Sequence, residues 1–63
     1  MKKIKDLLWE AEESLKNMSI PSYSKKAWYH NFCLCMDKIF DRSLELRTDE
    51  EISRYNNLCK RWK

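Results

Sequence analysis

The sequence predicts an all-α fold: a small three-helix bundle in up-down-up order. Three observations predict it. Apolar residues recur at helical spacing in three separate stretches, Gly is absent, and the single Pro stands between the first two stretches. A chain without Gly has few tight turns, which disfavours β-hairpins. The 63 residues make one domain, 1–63. A chain of that length buries only about 60% of its unfolded surface, so the core is small.

The first helix is expected over about 3–18. Ile4, Leu8, Ala11, Leu15 and Met18 follow one another at alternating steps of four and three, one face of an α-helix, and Leu7 widens the stripe. Asn17, Ser19, Ile20, Pro21 and Ser22 break the pattern. Pro21 also pushes Ile20 out of the helical region.

The second helix is expected over 24–46. Ser24 is the N-cap, and Tyr23 and Trp28 occupy the hydrophobic-staple positions around it. Its apolar residues are Trp28, Tyr29, Phe32, Cys33, Cys35, Met36, Ile39, Phe40, Leu44 and Leu46, spread over about half the helical wheel. A stripe that wide predicts a central helix with more than one neighbour.

The third helix is expected over 49–61. Thr48-Asp49-Glu50-Glu51 is a capping box, in which Thr48 caps and Glu51 reaches back. Asp49 and Glu50 add favourable charge at the helix N-terminus. The apolar face is Ile52, Tyr55, Cys59 and Trp62, with Leu58 beside it. The alternative architecture is a helical hairpin that completes its core by homodimerisation.

Composition narrows the function classes. A phosphate-cradling loop needs glycines that this chain lacks. A ligand pocket of about 300–1,000 Å³ would compete with the core for the same few residues. We therefore expect a non-catalytic protein with no cofactor. His30, Cys33 and Asp37 share a helix face, but Cys35 points about 160° away from Cys33, and Cys59 lies on the apolar face of the third helix. Cys-x-Cys on a helix is the wrong spacing for a structural zinc site, so no metal is expected. A His30–Cys33 nucleophile pair lacks an oxyanion-hole loop.

Lys5, Asp6 and Glu10 interrupt any continuous apolar stretch near the start, and no apolar run approaches the ~20 residues of a membrane span. The expectation is a cytoplasmic protein with reduced thiols and no membrane contact. Glu10, Glu12 and Glu13 also argue against a membrane-surface helix, which prefers a basic polar face.

Several residues have no part in the expected bundle. Trp9 lies opposite the stripe of the first helix, among Lys2, Lys5, Glu13 and Lys16. Either it lies flat over its lysine neighbours or against a second copy, or it is an exposed anchor of the residue type most enriched at binding hot spots. Leu34 is the matching outlier on the second helix, near Ala27, Lys38 and Asp41. The third feature is a basic-aromatic end. An up-down-up bundle would bring Tyr23, Lys25, Lys26, Trp28 and Tyr29 near Lys60, Arg61, Trp62 and Lys63, with Lys16 beside them. Lys60, Arg61 and Lys63 complement their helix dipole, whereas Lys25 and Lys26 oppose theirs. Lys2, Lys3 and Lys5 are expected to pair with Glu45, Asp49 and Glu50 across the helices, and carry no function.

The candidate partner-binding residues are thus Trp9, Lys25, Lys26, Leu34, Lys60, Arg61 and Trp62. They predict a module that docks on a larger protein bearing an acidic patch and modulates or inhibits it, as a monomer or a homo-oligomer. Nucleic acid is the second partner class. It would use the basic-aromatic end or the outer face of the third helix, Ser53, Arg54, Asn56, Asn57, Lys60 and Arg61. Against that, recognition helices usually enter the groove by their N-terminal residues, and here those are Asp49, Glu50 and Glu51. In size, Lys/Asn/Ile-rich composition and aromatic load, the chain is similar to the small proteins that phages and mobile elements make to occupy a host enzyme. That similarity carries no individual residue over.

Overall fold

The computed structural model of the chain describes residues 3–62. It is all-helical, with α1 over Ile4–Met18, α2 over Lys25–Asp41, a short 3-10 turn over Ser43–Glu45, and α3 over Asp49–Cys59. The three form a small helical bundle, as expected.

The local signals act where the sequence places them. The Ser24 side chain accepts from the Ala27 N–H at 3.3 Å and caps α2, and the Tyr23 and Trp28 rings stack at 6.1 Å across that cap. The Thr48 hydroxyl accepts from the Glu51 N–H at 3.2 Å. The Glu51 carboxylate accepts in return from the Thr48 N–H at 3.3 Å and from the Thr48 hydroxyl at 3.1 Å. Both halves of the capping box are therefore closed.

α1 and α2 pack antiparallel. Glu10 meets Cys35 and Ser14 meets Asn31, so the chain advances along one helix as it retreats along the other. The core is Ile4, Leu7, Leu8 and Ala11 of α1, Phe32, Cys35, Met36 and Ile39 of α2, and Leu58 of α3. Ser14 is fully buried on the same α1 stripe. Its hydroxyl donates to the Glu10 carbonyl at 2.9 Å and accepts from Asn31 Nδ2 at 2.6 Å. A buried hydroxyl with both bonds made carries no desolvation penalty to speak of.

α3 departs from expectation in three ways. First, α1 and not α2 is the helix that closely approaches both others. The Arg54 guanidinium clasps the Glu12 carboxylate with bonds of 2.9 and 2.6 Å, tying α3 to the flank of α1. Secondly, α3 leans across the hairpin. The Trp62 ring lies 6.3 Å from that of Phe40, so the C-terminal ends of α2 and α3 are neighbours. Thirdly, its inward face keeps Tyr55, Cys59 and Trp62 on the core, with Leu58 beside them as expected, but takes in Glu51 in place of Ile52. Glu51 and Leu58 are buried and Tyr55 is packed on the core, while Ile52 is 41% exposed. Glu51 turns inward to complete the cap, and Ile52 follows it round to the outside.

α2 stops at Asp41 and does not continue to Leu46. Arg42 leaves helical geometry, with φ −110° and ψ 21°. Its guanidinium then grips Glu45 by two bonds of 2.8 Å, which closes the 3-10 turn. The kink returns Leu46 to the core and sets Thr48 up to cap α3. It leaves Leu44 94% exposed.

Candidate functional site

Trp9 is 58% exposed and Leu34 is 47% exposed, as their places on the helical wheel predict. Trp9 is not isolated. It stands at the rim of a groove of about 360 Å³ between α1 and α2, whose walls include Glu13 and Asn17 from α1 and Trp28, Asn31 and Lys38 from α2. The groove exists because short polar residues, Ser14 and Asn31, bridge the helices where larger apolar side chains would have filled the space. Cys35 contributes to its floor, with its thiol directed to Glu10 Oε2 at 3.7 Å.

The expected basic-aromatic end does not assemble. Trp62 sits against Phe40, and Phe40 lies twelve residues along α2 from Trp28, about 18 Å at 1.5 Å per residue. Lys60, Arg61 and Trp62 are therefore at the opposite end of α2 from Tyr23, Lys25 and Lys26. The lean of α3 toward the end of the hairpin is the cause. Lys63 of the same expected cluster, and Lys2 of the expected surroundings of Trp9, lie outside the described residues. Lys25 and Lys26 are exposed and, among the described residues, make no ion pair. They also diverge. Lys25 lies one turn before Trp28, near the end of the Trp9 groove, while Lys26 lines a second hollow on the outer side of α2.

That second hollow, of about 600 Å³, is lined by Ser24, Lys26, Ala27, Tyr29, His30 and Cys33. Sequence reasoning missed it, because it lies between side chains of widely different length along one helix. Sequence reasoning also placed Phe40 and Leu44 in the core. Phe40 is instead 59% exposed. The apolar stripe of α2 is wide, and α3, drawn to α1 by Arg54, leaves part of it uncovered.

Arg42 and Glu45 shift each other in their ion pair, Arg54 is raised by Glu12, and two further groups of α3, Glu51 and Tyr55, are shifted by their packing. The Thr48 backbone N–H, helped by the Arg47 N–H and the Thr48 hydroxyl, holds the Glu51 carboxyl below its ordinary 4.5, and the nearby Lys5 adds to this. The expected partners of the α1 lysines were Glu45, Asp49 and Glu50, whereas Lys5 acts on Glu51. Burial, with a hydrogen bond to Cys59, pushes Tyr55 up to about 12. Both groups belong to the packing of α3 and not to the groove.

Among the described residues, no three His, Cys, Asp or Glu side chains are grouped to hold a metal ion. No helix among them is long and apolar enough to cross a membrane. No protein-family model matches the sequence, and no curated protein or solved structure matches it either.

Proposed function

We propose that this protein is a non-catalytic module that docks on a larger protein through Trp9 and its groove, and modulates or inhibits that protein. The observation that carries this reading is the exposed indole at the lip of a groove with polar walls. An indole more than half exposed contributes little to the fold, whereas one seated in a partner's pocket is among the residue types most enriched at hot spots, worth at least about 2 kcal/mol. Asn17, Asn31 and Lys38 supply hydrogen-bonding groups around it, in keeping with the polar rim that surrounds an interface anchor. Lys25 beyond the groove favours a partner with an acidic patch. The three free cysteines fit a reducing cytoplasm.

Nucleic acid is the less favoured partner. Of the polar residues on the outer face of α3, Arg54 is engaged with Glu12, and the two basic clusters do not form one surface.

The test compares wild type and Trp9→Ala as baits on the same column. A partner retained by wild type should be lost by the variant, with its Kd raised about 30-fold or more. The helical signal should stay unchanged and the stability should move by no more than about 0.5 kcal/mol. Equal retention by both baits, or a variant that unfolds, would end this reading.

A further inference from the structure

The outward face of α2 has a polarity that the Trp9 reading does not use. We infer that this face binds a second copy of the chain, α2 against α2 in antiparallel orientation, with the two-fold axis near Cys33 and Leu34.

The argument begins with what is uncovered. α1 takes one side of α2, and α3 joins the same core through Leu58, with Trp62 beyond its end lying against Phe40. The opposite side carries Lys26, His30, Cys33, Asp37 and Phe40 at alternating steps of four and three, with Ala27, Leu34 and Asp41 alongside. Every one of these is exposed except Cys33, which is partly so. Leu34 and Phe40 are two of the exposed large apolar side chains of the molecule, and Leu44 stands just past the helix end.

The arrangement along the face is self-complementary. The N-terminal end is cationic, with Lys26, and small, with Ala27. The C-terminal end is anionic, with Asp37 and Asp41, and bulky, with Phe40. A two-fold axis through the middle of the helix turns each end onto the other. Lys26 of one copy then meets the Asp37–Asp41 end of the second. The Phe40 ring of the second copy meets the hollow lined by Lys26, Ala27, His30 and Cys33. Such isologous pairing is the commonest symmetry of soluble oligomers. A parallel arrangement would set lysine against lysine and Phe40 against Phe40, so the charges and the shapes select the antiparallel one. The pairing leaves the Trp9 groove free, because that groove lies on the α1 side of α2. It therefore stands or falls separately from the proposed function.

Sedimentation equilibrium over micromolar to millimolar concentration is the test. Wild type should approach twice the 7.8 kDa chain mass. Leu34→Glu, with a charge at the axis, should raise the dimer Kd about 30-fold or more while keeping the helical signal. Trp9→Ala should dimerise as wild type does. Two charge variants guard against a merely unfolded mutant. One chain carries Lys26→Glu, and the other carries Asp37→Lys and Asp41→Lys. Each alone should be monomeric, whereas their equimolar mixture should form a heterodimer. A wild-type chain that stays monomeric at millimolar concentration would overturn the inference. So would a dimer indifferent to Leu34→Glu and to both charge variants, since it would use another surface.

Discussion

Trp9 and Ser14 show how a single residue's setting follows from its place on the helix. Trp9 stands opposite the α1 core stripe and can be buried only by something outside the fold. Ser14 stands on the stripe, at the helical step that leads from Leu7 through Ala11 to Met18, and is fully buried with its hydroxyl between the Glu10 carbonyl and Asn31. Removing that hydroxyl leaves Asn31 short of an acceptor, so Ser14→Ala should cost about 1 kcal/mol in chemical denaturation. Phe32, fully buried at the centre of α2, should cost about 3–5 kcal/mol as Phe32→Ala, which is a large part of the stability of so small a domain.

Two of the shifted groups, Glu51 and Tyr55, give pH dependences of opposite sign. Glu51 is held below 4.5, so its contribution is complete at neutral pH and fades as the pH falls below that value. The melting temperature should drop there, and the drop should be shallower in Glu51→Gln. Tyr55 is raised from 10.0 to about 12, so its contribution is complete below pH 10 and is lost as the pH rises toward 12. The Tyr55 phenolate absorbance should therefore appear late in an alkaline titration, and Tyr55→Phe should remove that late step.

At the scale of elements, the boundaries of α1 and the start of α2 and α3 were legible because their signals are local. The Ser24 cap, the Tyr23–Trp28 staple and the Thr48–Glu51 box each involve residues within five positions of one another. Thr48→Ala should accordingly cost about 1 kcal/mol, read as a lower melting temperature. The end of α2 was not legible. Nothing in the period of its apolar residues says that Arg42 will leave the helix to hold Glu45. Nor does periodicity say which neighbour covers an apolar face. Phe40, Leu44 and Ile52 all fit helical stripes, yet all three are exposed: the Arg54–Glu12 clasp draws α3 toward α1 and away from Phe40, the turn at Arg42 carries Leu44 outward, and the inward-turned Glu51 leaves Ile52 outside. The clasp joins residues more than forty positions apart, beyond the reach of a pattern read along the chain.

For the whole molecule, the number and antiparallel order of the first two helices follow from the sequence, but the candidate site follows only in part. Trp9 and Leu34 were identified because each sits opposite its helix's apolar stripe. The basic-aromatic end was drawn on the assumption that α3 runs back to the start of α2. The lean of α3 separates Lys25 and Lys26 from Lys60, Arg61 and Trp62 instead, and leaves two distinct surfaces: the Trp9 groove on one side of α2 and the polarised helix face on the other. The domain thus exposes an indole on one surface and large apolar side chains on the second, the two surfaces on which the proposals for a partner and for a second copy rest.

The most direct test of the central claim is the fluorescence of a chain in which Trp9 is the sole indole, made by Trp28→Phe and Trp62→Phe. The account predicts water-exposed, red-shifted emission from the free protein, moving to the blue when the partner captured by wild type is added. Blue emission from the free protein, or emission that the partner leaves unchanged, would contradict it.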